Sequence, residues 1–220
     1  MEFLFPDSLV YSMNQFQNLI EQILIAKSNN QNRPFILGIS GIDASGKGYI
    51  SKLIQRELIR LGHSVHLENL DGWLQLPEIR FSKIEPASVF YQNGFRWNEL
   101  KEELLEPYLK SQPLNFTMNY LEETWTHFEK KEISIQQVDF FILEGIFLFQ
   151  ELLFPMFSLT IWIDCSFQTA IKRAINRNQE GLKEEDIINA YNTIFFPAQD
   201  IHFQKDHPKE KASMIYENDV

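Results

Sequence analysis

The chain has 220 residues, 44% of them apolar, enough for one well-buried domain or one domain carrying a lid, and short for two independent cores. With 30 acidic against 20 basic residues the net charge of −10 repels a polyanion unless Lys and Arg cluster, and no basic run appears, so nucleic acid is set aside as a partner. The single Cys165 rules out an internal disulfide and Met1–Pro6 lacks the basic flank and cleavage site of a signal peptide, which together lead to the expectation of a cytoplasmic protein.

Residues 14–27 place Phe16, Leu19, Ile20, Ile23, Leu24 and Ile25 at helical spacing before the polar run Ser28–Arg33, predicting an N-terminal helix and a loop. Phe35–Ile39 is a short apolar run leading into Gly41. From there Ile50, Leu53, Ile54, Leu58 and Leu61 mark one face of a helix, with Gly62 as its C-terminal cap. Ser64–Leu67 reads as a second strand, closing a strand–helix–strand unit that needs parallel pairing and a right-handed crossover, and Asp71 lies just past its end. The pattern loosens from Leu74 to Glu132, where a helix Trp97–Lys110 is bracketed by Pro86, Pro107 and Pro113 and followed by a strand Leu114–Tyr120. This insertion, 74–132, is expected to bind an acceptor.

Phe140–Ile163 is almost continuously apolar, but Glu144, Gln150, Glu151 and Pro155 interrupt it. Two buried strands, Asp139–Leu143 and Leu159–Ile163, around a short helix explain it better than a membrane span. Helices follow at Phe167–Arg177 and Glu185–Phe195, separated by the polar segment Asn178–Glu185, and Ser213–Tyr216 reads as a last strand. Without repeats or a linker, the alternation predicts a single domain over 1–220. It is an α/β, three-layer fold with a mainly parallel five-stranded sheet, helices on both faces and ligands at the carboxyl ends of the strands.

The segment Gly41-Ile42-Asp43-Ala44-Ser45-Gly46-Lys47 fits G-x-x-x-x-G-K, between that first strand and its helix. Its glycines let successive N–H groups point inward at the positive end of a helix while the lysine supplies a mobile charge, so phosphate is the natural guest and ATP contacts are expected across 41–49. The pattern normally continues with Ser or Thr on Mg²⁺, whereas Gly48 and Tyr49 stand here. The metal is therefore expected to rest on Glu144, Asp71, phosphate oxygens and water.

These residues resemble the uridine kinase branch of the P-loop kinases, which also includes phosphoribulokinase and bacterial pantothenate kinase. The likeness spans about 33–217 and rests on GIDASGKG at 41–48, LDGWL at 70–74, FRW at 95–97, FILEGIFLF at 141–149 and the helix with Arg173 and Arg177. It implies a P-loop NTPase fold with a small lid at about 173–185, hinged near Gly181, and transfer of the γ-phosphoryl group of ATP to a small hydroxyl-bearing acceptor, most nearly a nucleoside. It further implies that Asp71 takes the proton of the attacking hydroxyl, that Glu144 lies near Mg²⁺, and that Arg173 and Arg177, four apart on one helix face, cover the ATP phosphates with Lys47. In better-known members a second Asp and a Phe-Tyr pair follow the base; Gly72 and Trp73 stand here. Trp73, Arg80, Arg96 and Tyr120 are the candidate acceptor contacts.

Two other readings compete. A nucleoside monophosphate kinase also suits the Gly after Lys47, although 74–132 holds only scattered Lys and Arg for a phosphorylated acceptor. An ATP-binding module that has lost catalysis is motivated by Gly48 and Gly72. The five His show no metal spacing, Cys165 has no adjacent base, no membrane contact is expected, and a homo-oligomer is left open.

Overall fold

The computed structural model describes residues 7–31, 33–121, 126–178 and 181–219. The start Met1–Pro6 and parts of the expected insertion (122–125) and lid (179–180) lie outside the described residues.

The first helix, α1 (Asp7–Ser28), begins earlier than the apolar spacing indicates, and Leu19, Ile20 and Ile23 in its C-terminal half are buried against the sheet. Strand β1 (Ile36–Gly41) is buried throughout and runs into the phosphate loop and α2 (Lys47–Arg60), whose Ile50, Ile54 and Leu58 are buried. Gly62 takes φ +92°, the left-handed backbone expected of a helix end. The chain continues through β2 (Val65–Asn69), a 3₁₀ turn (Leu70–Trp73), α3 (Pro77–Arg80), α4 (Pro86–Asn93) and a longer helix α5 (97–109). A two-stranded ribbon, β3 (Leu114–Tyr120) and β4 (Glu129–Ile135), precedes β5 (Phe140–Gly145) and β6 (Leu159–Asp164). Then come α6 (Phe167–Arg177), α7 (184–206), α8 (Pro208–Lys211) and β7 (Met214–Glu217).

The main sheet has the order β2-β5-β1-β6-β7 with every neighbouring pair parallel. Along β1 the side chains alternate between its faces. Leu37 and Ile39 join Phe140, Ile142, Ile161 and Ile163 against α1 and α2, while Ile36 joins Phe141, Leu143 and Trp162 in the opposite layer with α4, α5 and α7. This is the three-layer α/β fold, and 140–163 is two buried strands joined through a 3₁₀ turn (Phe154–Met156). No described helix is long and apolar enough to cross a membrane.

One helix departs from the sequence reading. The helix expected to end at Phe195 instead runs on through Pro197; like α5, which passes Pro107 within its expected span, it carries a π-type turn just ahead of the proline, at Tyr191–Phe195 and Leu100–Leu105 respectively. A proline removes one N–H and crowds the carbonyl four residues back. A wider turn relieves that clash, and burial of Leu100, Leu104, Tyr108, Phe196 and Ala198 holds the helices together across it. At the far end of α7, Asp206 accepts a hydrogen bond from Tyr91 of α4 and one at 2.7 Å from His202 Nδ1, fixing α4 to α7 inside the core.

Candidate active site

The carboxyl ends of β1, β2 and β5 open into one cleft of about 560 Å³, lined on its polar side by Asp43, Lys47, Gly48, Asn69, Asp71, Glu144 and Arg177. Its other wall is apolar: Leu74, Phe81, Phe90, Phe95, Ile146 and Phe195, with Arg80 among them. The sheet register explains the convergence, since Ile39 pairs with Glu144 and Asn69 pairs with Glu144 on the other side, so the three strands end level.

The phosphate loop is built as its sequence demands. Ala44 and Gly46 have φ of +56° and +88°, turning successive N–H groups to one side, and the amides of Tyr49 and Ile50 donate to the Gly46 carbonyl as α2 begins. Gly41, Ile42 and Ser45 form the back of the loop; Asp43, Ala44, Gly46, Lys47, Gly48 and Tyr49 face the cleft. Lys47 Nζ lies 3.5 Å from the Ile42 carbonyl and 4.0 Å from Asp43. Burial works against the charge of Asp43, but Lys47, Arg177 and a hydrogen bond from Tyr191 outweigh it and hold its carboxyl below the ordinary range.

The two arginines of α6 part company. Arg173 is tied to the loop and the C-terminal strand: its guanidinium donates to the Ser45 carbonyl at 3.0 Å, to the Asn218 carbonyl at 2.8 Å and to Cys165 Sγ at 3.4 Å. Asn218 Nδ2 donates to the same Ser45 carbonyl at 2.7 Å. Arg177, more open to solvent, stands 4.0 Å from Asp43.

Glu144 ends β5 at 5% exposure. Asn69 Nδ2 donates to its Oε1 at 2.6 Å, while Oε2 is buried without a hydrogen-bond partner. Burial pushes its carboxyl up to about 7; Lys47 pulls it back and the nearby charge of Asp71 adds to the rise. A Cβ on Gly48 would lie 3.5 Å from Glu144 Oε1, so the glycine leaves the carboxylate facing the loop with nothing between. An unpartnered carboxylate oxygen beside a phosphate loop suits a hard cation, and among the described residues no cluster of three acidic, His or Cys side chains exists to cage one. The residues therefore fit a magnesium ion held partly by phosphate and water oxygens, with Glu144 as its protein contact.

Asp71 sits in the 3₁₀ turn after β2, its N–H donating at 2.6 Å to Asn69 Oδ1. Its residue is open to solvent at the cleft mouth, yet the cleft walls desolvate the carboxyl and raise it above the ordinary range; Lys47 opposes this and Asp43 reinforces it. Asn69, which sequence reasoning missed, thus holds the Glu144 carboxylate with one end of its amide and the backbone of Asp71 with the other. Its signal was an Asn at the strand end two residues before Asp71, the spacing of an Asx turn. Tyr191, Lys52 and the phenylalanine wall were also unforeseen.

Of the candidate acceptor contacts, the structure brings only Arg80 to the cleft, buried at 4% exposure with its guanidinium 4.8 Å from the Phe81 ring. Trp73 is core, 1% exposed and packed toward Phe116. Arg96 braces the turn from behind: it donates to the carbonyls of Leu74, Gly72 and Asn119 and to Glu99 at 2.9 Å. Tyr120 packs against Gly72, where a Cβ would meet its ring at 3.1 Å, and carries Lys131 4.2 Å over its face. These three build the floor under Asp71 rather than line the cleft.

No family model matches the chain. In sequence it is similar to the pantothenate kinase of Streptococcus agalactiae, 31% identical over 146 residues that cover 64% of this chain and 46% of that protein. The chain thus spans about half the length of that relative. In structure it is similar to one described as a possible uridine kinase from Bacillus stearothermophilus, with a TM-score of 0.74, 19% identity and coverage of 93% of this chain and 98% of that one. It is also similar to D-glycerate 3-kinase from Cryptococcus neoformans, with a TM-score of 0.59, 10% identity and coverage of 87% and 88%. In its fold and its phosphate loop the chain is similar to P-loop kinases of the uridine kinase and pantothenate kinase type.

Proposed function

We propose that the protein transfers the γ-phosphoryl group of ATP to a hydroxyl of a small molecule. The observation that carries this reading is the convergence of Lys47, Asp71 and Glu144 on one cleft, with the phosphate loop at one end and an apolar wall at the other. Lys47 and the loop N–H groups hold the phosphates, and Arg177 adds a mobile cation at the lid side while Arg173 keeps the loop in shape. Asp71 orients the acceptor hydroxyl and receives its proton as the new O–P bond forms and the bond to ADP breaks; its raised proton affinity is in the direction a base needs. A magnesium ion bound with the nucleotide would neutralise charge on the phosphates, and Glu144, steered by Asn69, would hold it. Water is kept from the acceptor end by Phe81, Phe90, Phe95 and Phe195.

Two acceptor classes fit. A nucleoside would stack on the phenylalanine wall, the acceptor named for the uridine kinase relative. Arg80, a buried cation in that wall, favours instead an alcohol that also carries a carboxylate, the class to which pantothenate belongs. A coupled assay of ADP release across nucleosides and hydroxy acids separates them. A nucleoside response insensitive to Arg80→Met supports the first, and a hydroxy-acid response lost in Arg80→Met supports the second. ADP release without dependence on any acceptor would instead indicate a binding module that has lost catalysis.

A further inference from the structure

Asp43 is the one acidic side chain inside the phosphate loop, where the chemistry of the loop does not call for it. N–H groups and a lysine aimed at an anion are opposed by a carboxylate in their midst. Its two oxygens face different partners: Oδ1 lies 4.0 Å from Lys47 Nζ, whereas Oδ2 accepts from the Tyr191 hydroxyl and lies 4.0 Å from the Arg177 guanidinium. The loop, the end of α6 and the middle of α7 therefore meet on one carboxylate. Those partners keep it ionised in spite of its burial, and both Asp71 and Glu144 are close enough to feel its charge.

We propose that Asp43 is an affinity-setting counter-anion: it shares Lys47 and Arg177 with the nucleotide phosphates and, through Tyr191, holds α7 against the loop, so that the triphosphate binds by taking the two cations over from it. The inference rests on the nucleotide reading above. It differs from a purely structural role in sign. Asp43→Asn keeps the shape and an oxygen for Tyr191 but removes the competing charge, so phosphate binding tightens; loss of a merely structural carboxylate weakens it or leaves it alone. Tyr191→Phe keeps the charge, so it gives no tightening, while α7 loses a tie to the loop and its amides at 184–195 exchange faster.

The test is titration of the full chain with a fluorescent ATP analogue, mant-ATP, with magnesium present, comparing the unaltered protein with Asp43→Asn, Tyr191→Phe and Lys47→Ala. Expected are an affinity about fivefold higher for Asp43→Asn, no gain for Tyr191→Phe and a clear loss for Lys47→Ala. Unchanged or weaker binding by Asp43→Asn, with Lys47-dependent binding by the unaltered protein, overturns this inference and leaves the nucleotide reading standing. Failure of the unaltered protein to bind mant-ATP overturns both. Should Asp43→Asn not fold, Arg177→Gln tests the same sharing without touching the loop: about threefold weaker binding is expected, and unchanged affinity overturns the inference.

Discussion

Glu144→Gln alters one charge and almost no volume, at the end of a central strand. In the folded protein burial lifts this carboxyl to about 7, against 4.5 when it is exposed. The native state therefore holds that proton more tightly than the unfolded chain. The stability this confers is fully present below pH about 4.5 and is lost as pH rises to about 7; beyond that the fold carries a buried anion at a cost of about 3 kcal/mol. Glutamine removes the cost and still offers Oε1 to Asn69 Nδ2. Urea denaturation in the presence of a chelator should show the variant little more stable than the parent at pH 5 and about 3 kcal/mol more stable at pH 8.5. In thermal melts that is a rise of roughly 6–12 °C for a domain of this size. Titration with mant-ATP should show, in the same variant, loss of the magnesium-dependent part of the affinity. A gain equal at both pH values, or none at pH 8.5, would refute the account of Glu144 as a buried carboxylate kept for a cation.

The remaining substitutions probe the other parts of the site. Asp71→Asn should lower turnover about 100-fold or more while the mant-ATP dissociation constant stays within about twofold; intact turnover would remove Asp71 as the base. Gly48→Ser should be tolerated, because its Cβ would make an ordinary 3.5 Å contact with Glu144. Since serine is also the better helix former by a few tenths of a kcal/mol, the melting temperature should hold or rise. The restored hydroxyl should let nucleotide binding saturate at several-fold lower magnesium, and an unchanged magnesium requirement would show that position 48 does not face the cation.

The central sheet and its loop were legible because their signals are local. β1, α2, β5, β6 and α6 are each apolar runs or faces bounded by Gly or a polar cap, and the loop lies where strand gives way to helix. β4 was not legible: its sequence Glu129-Lys130-Lys131-Glu132 carries no apolar alternation, and what makes it a strand is pairing with β3. Lys130 donates to Asn119 at 2.8 Å and Thr117 donates to Glu132 at 2.7 Å. The continuation of α7 through Pro197 was likewise hidden, since burial on both sides of the proline decides it and propensity does not. In the site, motif spacing pointed to Lys47, Asp71 and Glu144, which the fold brings to one cleft. It could not separate Arg80, in the cleft wall, from Trp73, Arg96 and Tyr120, beneath it, because all four are polar or aromatic residues near the same turn. Nor could it show Tyr191 reaching Asp43 from 148 residues away.

The most direct measurement follows the phosphoryl group itself. With ATP labelled at the γ-phosphorus and an acceptor from the responding class, label should appear in the acceptor one-for-one with ADP, and should vanish from it in both Lys47→Ala and Asp71→Asn. Label that stays in ATP, or that leaves only as inorganic phosphate whichever alcohol is supplied, would contradict the assignment of this cleft as a kinase active site.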